Sequence, residues 1–124
     1  GLLGAVKAAA RAKVEASAIL DPLGGQAAKQ PAGGSAWPWR SALGTIQWYS
    51  DLPPNASAAA LRAAQNFITS GHHAVTKASA GGYVNYLEAG RSVNSYYGSS
   101  LGRLRTVKKK YDPTNFFRTS YTFS

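Results

Sequence analysis

Residues 14–21 of the chain read Val14-Glu15-Ala16-Ser17-Ala18-Ile19-Leu20-Asp21, and the even-numbered positions from 14 to 20 are all apolar. This alternation predicts a β-strand, because successive side chains of a strand point to opposite faces of the sheet. Pro22 and the pair Gly24-Gly25 follow at once. Proline lacks a backbone donor and glycine tolerates tight turns, so the strand is expected to end here.

A second strand is predicted over residues 43–50, again from alternation. Thr45 and Gln47 share one of its faces, whereas Ile46 and Trp48 share the other. The polar face fits a sheet that presents side chains to a ligand, and it fits an ordinary solvent-facing sheet equally well. Periodicity does not separate these two interpretations.

Two helices are predicted on either side of the strands. Residues 2–13 are rich in alanine, and the apolar side chains with helical spacing are Leu2, Leu3, Val6 and Ala10. We expect a scaffold helix rather than a membrane-binding one, because most of its apolar side chains are small. Residues 56–69 form the other predicted helix, capped by Asn55 or Ser57 and ended by Gly71.

A third helix is predicted to follow Ser99-Ser100 and to end before Asp112-Pro113. Its apolar stripe consists of Leu101, Leu104, Val107 and Tyr111. Its basic residues are Arg103, Arg105, Lys108, Lys109 and Lys110. Basic residues among aromatic ones are typical of single-strand nucleic-acid binding. Because the apolar stripe is intact, we expect most of these charges to form the solvent side of the helix.

The composition is strongly basic for the length of the chain. The chain has 124 residues, of which 44% are hydrophobic, and its 14 Lys and Arg against 5 Asp and Glu give a net charge of +9. One explanation is an anionic partner such as nucleic acid, an acidic membrane or an acidic protein. The other, which we favour, is a fragment whose acidic counterpart lies elsewhere in a longer chain.

Metal, disulfide and membrane functions find little support in the sequence. Cysteine is absent, which excludes disulfides and thiolate metal sites within these residues. His72-His73 predicts a loop at a helix end rather than a metal site, because adjacent side chains diverge and no carboxylate is near in sequence. No apolar run is long enough to span a membrane. Asn55-Ala56-Ser57 is a glycosylation sequon and indicates a secreted protein.

The segment Tyr83-Val84-Asn85-Tyr86 carries the most specific chemistry of the chain. It is predicted to be short and extended, and it follows Gly81-Gly82, which lets the backbone approach a flat group. A tyrosine serves as a general base where positive charge or a flavin ring stabilises its phenolate. The alternative is a packed edge strand whose tyrosine hydroxyls point to solvent.

Several segments of the chain resemble, in order and spacing, the closing part of berberine-bridge-enzyme-like FAD-linked oxidases. The later ones are Gly82-Tyr83-Val84-Asn85-Tyr86, Tyr96-Tyr97-Gly98, Arg103-Leu104, Val107-Lys108 and Tyr111-Asp112-Pro113-Thr114-Asn115-Phe116-Phe117-Arg118. The earlier ones, similar to strands of the family's substrate domain, are Ile19-Leu20-Asp21-Pro22-Leu23-Gly24-Gly25, Ala36-Trp37-Pro38-Trp39-Arg40 and Ile46-Gln47-Trp48-Tyr49.

The resemblance implies an α+β fold, with an antiparallel sheet and helices on one face, as an incomplete part of a two-domain flavin oxidase. Residues 1–80 are then the C-terminal half of the substrate-binding domain. Residues 81–124 are the berberine-bridge-type segment that returns to the FAD-binding domain. The cofactor is FAD, and the residues that attach it lie outside this chain.

The resemblance also implies roles for individual residues. Tyr86 matches the catalytic base, which takes the hydroxyl proton of the substrate, and this role requires a site that lowers the phenol pKa from its ordinary value near 10. Tyr83 and Asn85 match positions that bind the cofactor. The substrate-binding positions are Gln47, Thr45 and Trp39. The family often has a charged residue in place of Thr45 and a histidine in place of Trp39, so these two positions depart from the common pattern and leave the substrate class open.

The predicted function is therefore that of the C-terminal part of an FAD-dependent oxidase, which oxidises a hydroxyl of a carbohydrate or a secondary metabolite. Its predicted partners are the N-terminal FAD-binding portion of the same enzyme, a small-molecule substrate and molecular oxygen. Neither nucleic acid nor a membrane is expected as a partner, no metal is expected, and the enzyme is expected to be secreted. The alternative is a basic module that binds nucleic acid or anionic surfaces without catalysis.

Overall fold

The computed structural model describes residues 1–29, 31 and 34–119 of the chain. The elements run in the order α1 (Leu2–Arg11), β1 (Glu15–Pro22), β2 (Gly44–Asp51), α2 (Ala58–Val75), α3 (Asn94–Tyr97), a 3-10 turn (Gly98–Ser100) and α4 (Leu101–Tyr111). An antiparallel strand pair combined with helices confirms the predicted α+β class.

Contacts divide the chain into two compact units. The first contains Gly1–Pro22 and Gly44–Ser79, and the second contains Leu23–Leu43 together with the residues from Ala80 onward. The units change at Ser79, beside the predicted domain boundary, but residues 23–43 group with the later part of the chain. The functional meaning assigned to residues 1–80 and 81–124 stays a prediction.

The sheet of the first unit pairs β1 with β2 in antiparallel register, with Ala18 opposite Trp48. At one end of the pair, the Ser50 hydroxyl donates to the carbonyl of Glu15 at 2.8 Å. Within the described residues no third strand joins either edge. Because an isolated strand pair is only marginally stable in water, this sheet depends on the helices that cover it.

The core of the first unit is built from small side chains. Ala9 is fully buried and packs with Val14 and Ala64. Helix α1 is confirmed, but its predicted apolar face is wrong, because Ala5 and Ala9 are buried while Leu3 is 68% exposed. Alanine has no long side chain to hold two helices apart, so α1 approaches α2 most closely along its alanine face.

Helix α2 starts as predicted and ends later than predicted. The Ser57 side chain accepts a hydrogen bond from the backbone N–H of Ala60 at 3.2 Å, as expected of a helix cap. The helix continues through Gly71 to Val75, so the predicted end at Gly71 is wrong. His72 and His73 accordingly lie in its last turn and not in a loop.

Gly71 is required by packing against the sheet. A Cβ atom placed on Gly71 would lie 2.2 Å from Cδ2 of Trp48, far inside contact distance. Trp48 also meets Phe67 edge to face, with ring centroids 5.9 Å apart. The absence of a side chain at residue 71 therefore lets the Trp48 ring lie directly on α2.

In the second unit, the segment 23–43 closes on itself and is braced by Arg40. The N–H of Leu23 donates to the carbonyl of Leu43 at 2.9 Å. The Arg40 guanidinium donates to the carbonyl of Ala27 at 2.9 Å and lies 4.9 Å from the centre of the Trp37 ring. These contacts hold together a segment that has no helix or strand among its described residues.

The second unit contains the short helix α3 and the longer helix α4, which starts after Ser100 as predicted. Gly98 ends α3 with φ of 41°, a conformation that favours glycine. Helix α4 ends before Asp112-Pro113, as predicted. Its apolar stripe is buried only at Leu101, while Tyr111 at the other end is 73% exposed. No helix in the described part of the chain is long and apolar enough to cross a lipid bilayer.

Candidate functional site

The segment Gly82–Glu88 of the second unit carries the predicted base and cofactor-binding residues. Its centre is a tight turn, because the N–H of Tyr86 donates to the carbonyl of Tyr83 at 3.0 Å. The predicted extended conformation is therefore wrong for Tyr83–Tyr86. A turn places residues 83 and 86 side by side, whereas a strand would separate them by about 10 Å.

The three predicted residues of this turn contact one another. Asn85 Nδ2 donates to the Tyr83 hydroxyl oxygen at 2.7 Å. The Tyr83 and Tyr86 rings meet edge to face with centroids 5.3 Å apart and planes at 74°. Tyr86 keeps 44% of its surface exposed. The turn thus presents Tyr86 to solvent with the Tyr83 ring packed against it, while the Asn85 amide binds the Tyr83 hydroxyl.

Both ends of the segment meet Tyr96, a residue that the sequence did not single out for function. The N–H of Glu88 donates to the Tyr96 hydroxyl at 2.8 Å. At the other end, a Cβ on Gly82 would lie 2.8 Å from Cε1 of the Tyr96 ring. Local sequence patterns give no signal for this role, because it arises from contacts between residues far apart in sequence.

Trp39 packs against the glycines of the second unit. A Cβ on Gly81 would lie 2.2 Å from Cζ2 of Trp39, and one on Gly98 would lie 2.8 Å from Cη2. The Trp39 indole N–H is buried and has no hydrogen-bond partner. The ring therefore fixes the start of the segment that leads to Tyr83. Its predicted contact with the substrate stays a prediction.

Thr45 and Gln47 lie on β2 in the first unit, and both are half-buried. Trp48 packs against α2, and side chains alternate along a strand, so Thr45 and Gln47 lie on the opposite face of the sheet. That face is the one predicted from the sequence to present polar groups to a ligand. Substrate contact at these two residues stays a prediction.

A clamp of Lys108 and Asp112 shapes the chain after α4. The Asp112 carboxylate accepts the N–H groups of Phe116 at 2.7 Å and of Phe117 at 3.1 Å, and it also accepts the Lys108 ammonium. Lys108 donates in addition to the carbonyl of Phe117 at 2.7 Å. The spacing of residues 108 and 112 is a helical salt-bridge signal that sequence analysis missed.

The clamp lowers the pKa of the Asp112 carboxyl below its ordinary value of 3.8. The main cause is the hydrogen bond from Lys108, followed by the amide hydrogen bonds of Phe116 and Phe117, which outweigh the opposing effect of burial. In the same unit, burial raises the pKa of the Tyr97 phenol. Among the described residues no group of three or more potential metal ligands comes together.

Comparisons with known proteins relate this part of the chain to a known family. Residues 82–121 match the family model described as berberine and berberine like. The chain is 31% identical over 89 residues to a carbohydrate oxidase of Microdochium nivale, an alignment that covers 67% of the chain. The chain spans 18% of the length of that relative. No solved structure shows significant similarity to the chain.

The residues matched by the family model contain the turn with Tyr83, Asn85 and Tyr86. The family match starts at Gly82, the first residue of the segment that carries Tyr86, and it includes Tyr96 and the clamp at Asp112. The family expected from the sequence motifs is thus the family found by comparison. Together the comparisons support a part of a berberine-bridge-enzyme-like FAD oxidase, in which residues 82–121 form the berberine-like segment.

Proposed function

We propose that the chain is part of an FAD-dependent oxidase in which Tyr86 is the base that takes a hydroxyl proton from the substrate. The observation that carries the proposal is the exposed Tyr86 side chain, whose ring packs on Tyr83, a residue that Asn85 in turn hydrogen-bonds. This turn lies in the part of the chain that matches the family. An ordered, solvent-facing phenol is what a general base needs, because proton transfer requires direct hydrogen-bond reach.

The residues of the turn fit a flavin. Tyr83 and Asn85 are both exposed and together present hydroxyl and amide groups, which suit hydrogen bonds to the polar atoms of a flavin ring. Gly81 and Gly82 hold the start of the turn, because Trp39 and Tyr96 occupy the space of their missing side chains. When bound, the flavin supplies the acceptor for the hydride that leaves the substrate carbon. The residues that attach the FAD belong to the remaining part of the enzyme, and molecular oxygen is the proposed electron acceptor.

The role of Tyr86 in the proposed reaction is confined to the proton. Its phenolate oxygen accepts the substrate hydroxyl proton as the carbon–hydrogen bond breaks, and the carbonyl of the product forms. The phenol then returns its proton to solvent, to which its side chain is open. Tyr83 packs on the ring of Tyr86, Asn85 holds the Tyr83 hydroxyl, and both residues are proposed to contact the cofactor.

The decisive experiment replaces Tyr86 with phenylalanine in the holoenzyme. Tyr86→Phe keeps the ring contact with Tyr83 and removes only the hydroxyl. We expect turnover to fall by about 10²- to 10⁴-fold, the range typical of a lost general base, while the flavin absorption spectrum persists. Tyr111→Phe, a hydroxyl deletion on α4, serves as the control with unchanged turnover. Full turnover by Tyr86→Phe would exclude this tyrosine as the base.

A carbohydrate is the first proposed substrate class and a secondary metabolite the second. Support comes from the named relative, a carbohydrate oxidase, and from the polar sheet face with Thr45 and Gln47. Trp39 is proposed to contribute an aromatic surface to a sugar ring. Peroxide release is measured with a panel of mono- and oligosaccharides and with a panel of secondary-metabolite alcohols. The two sets of rates rank the two substrate classes. Oxidation of alcohols with no response to any sugar contradicts the first choice.

The proposed main partner is the remaining, FAD-binding part of the same enzyme. Phe116 and Phe117 meet edge to face at 5.1 Å, and both remain about three-quarters exposed at 77% and 74%. Because large apolar side chains held rigidly in water mark interaction surfaces, this pair is proposed to pack on that part. The basic-module alternative is weakened at Lys108, whose charge is used in the clamp with Asp112.

Secretion with glycosylation at Asn55 completes the proposal. Asn55 is exposed in a turn before α2, so its side chain is accessible to modification. Ser57, the third residue of the sequon, is the cap of the helix. A mass decrease of the secreted enzyme after glycosidase treatment, absent in Asn55→Gln, is the expected result.

A further inference from the structure

The segment that carries Tyr86 is held at both ends by one side chain. At its first end, the Gly82 N–H donates to the carbonyl of Ser95 at 2.8 Å, and the Gly82 Cα faces the Tyr96 ring so closely that a Cβ would lie 2.8 Å from it. At its second end, the Glu88 N–H donates to the Tyr96 hydroxyl at 2.8 Å. The ring of Tyr96 thus meets one end and its hydroxyl the other.

Tyr96 itself has little freedom to move. It is 1% exposed, and its side chain is the largest that is fully buried in the described residues. It lies in the middle of α3, which Gly98 ends in a left-handed conformation. A buried aromatic ring on a short, capped helix is a rigid support, because its rotamer is fixed by packing.

Glu88 is also held from its other side. Its carbonyl accepts the Arg91 N–H at 3.2 Å, and its carboxylate pairs with the Arg91 guanidinium at 3.2 Å. Gly90, with φ of 81°, completes this turn. The hydrogen bond that Glu88 donates to Tyr96 therefore lies where two turns meet, the one that carries Tyr86 and the one that closes at Arg91.

We propose that Tyr96 is a positioning residue for Tyr86, and that it fixes the exposed phenol by anchoring both ends of Gly82–Glu88. The proposal rests on the proposed role of Tyr86 as the base. A turn closed by one backbone hydrogen bond has little rigidity of its own. Displacement of a reacting group by about 1 Å is enough to slow catalysis about a hundredfold, so such an anchor matters for turnover.

Tyr96→Phe in the holoenzyme tests the hydroxyl half of the anchor. The ring remains buried, and the Glu88 N–H loses this acceptor. We expect amide hydrogen exchange at Glu88 to become roughly three- to tenfold faster, the effect of one lost hydrogen bond. We also expect kcat to fall about tenfold to a hundredfold at nearly constant KM. Tyr111→Phe, which removes an exposed hydroxyl outside the segment, is the matched control and changes neither quantity.

Gly82→Ala tests the ring half and covers the case in which Tyr96→Phe does not fold. The added methyl group displaces the segment from the Tyr96 ring without removing the hydroxyl. The same loss of kcat is expected. Gly102→Ala is the control, because a Cβ on Gly102 meets nothing within 4 Å.

A double variant separates positioning from general destabilisation. If Tyr96 acts through Tyr86, then Tyr96→Phe causes little further loss of kcat in a Tyr86→Phe background. Losses that multiply fully in the double variant overturn the proposal, and so does unchanged exchange at Glu88 with unchanged kcat. If Tyr86→Phe alone retains full turnover, the proposed function fails, and exchange at Glu88 still decides whether Tyr96 anchors the segment.

Discussion

Replacement of Gly71 by alanine tests the packing of α2 on the sheet. The new Cβ would lie 2.2 Å from Cδ2 and 2.6 Å from both Cε2 and Cε3 of Trp48. Because carbon atoms in contact are normally about 3.5 to 4.0 Å apart, the Trp48 ring or the helix has to move by more than about 1 Å. Such a movement disturbs the edge-to-face contact of Trp48 with Phe67, a side chain that is 2% exposed.

The magnitude of the effect follows from opposing contributions. Overpacking of a well-packed contact costs about 1–3 kcal/mol, and loss of the aromatic contact costs about 0.5–1.5 kcal/mol. Alanine in place of glycine inside a helix stabilises the helix by about 1 kcal/mol, which offsets part of this loss. We therefore expect Gly71→Ala to lower the free energy of unfolding by about 0.5–3.5 kcal/mol. Gly4→Ala in α1, where a Cβ meets nothing within 4 Å, should instead raise it by about 0.5–1 kcal/mol.

The two variants are compared by urea denaturation of the protein that contains the chain, with tryptophan fluorescence as the probe. The expected result is a lower midpoint for Gly71→Ala and a slightly higher one for Gly4→Ala, with equal slopes. If Gly71→Ala is as stable as the parent, then Gly71 is not a packing glycine. The explanation given for the continuation of α2 beyond residue 71 would then be wrong.

Two further predictions concern the clamp and the helix cap. Because the pKa of Asp112 is lowered, its ionised form stabilises the fold above the ordinary carboxyl value of 3.8, and this stabilisation is lost as the pH falls below that value through the lowered pKa. The free energy of unfolding should therefore fall less steeply with decreasing pH in Asp112→Asn than in the parent protein. An unchanged pH dependence contradicts the clamp. Ser57→Ala should lower stability by about 1 kcal/mol and also remove the glycosylation sequon. Asn55→Gln removes the sequon alone, so equal stability of the two unglycosylated variants argues against the cap.

Local signals in the sequence were sufficient wherever the structure is decided by neighbouring residues. Alternation located both strands, and the side chain of Ser57 marked the start of α2. Asp112-Pro113 marked the end of α4 because a residue before proline is disfavoured in a helix. The family motifs likewise led to Tyr86, the centre of the candidate site.

Tertiary contacts decided the features that sequence analysis missed. Gly71 is a typical helix-ending residue by propensity, yet it lies inside α2 because a Trp48 ring occupies the space of its side chain. The apolar face predicted for α1 contained Leu3, yet the face with Ala5 and Ala9 is the buried one because alanine allows the closest helix contact. The anchoring role of Tyr96 depends on Glu88, whose N–H reaches it only through the folded backbone.

The division of the chain into two units has a consequence for the order of folding. The partners β1 and β2 are separated by residues 23–43, which belong to the other unit. A chain shortened after Ser79 would keep both strands but leave the intervening segment without the residues it groups with. Neither unit can therefore be excised as one continuous piece, because pairing of β1 with β2 closes a loop formed by residues 23–43, at an entropic cost that the contacts of the strand pair have to offset.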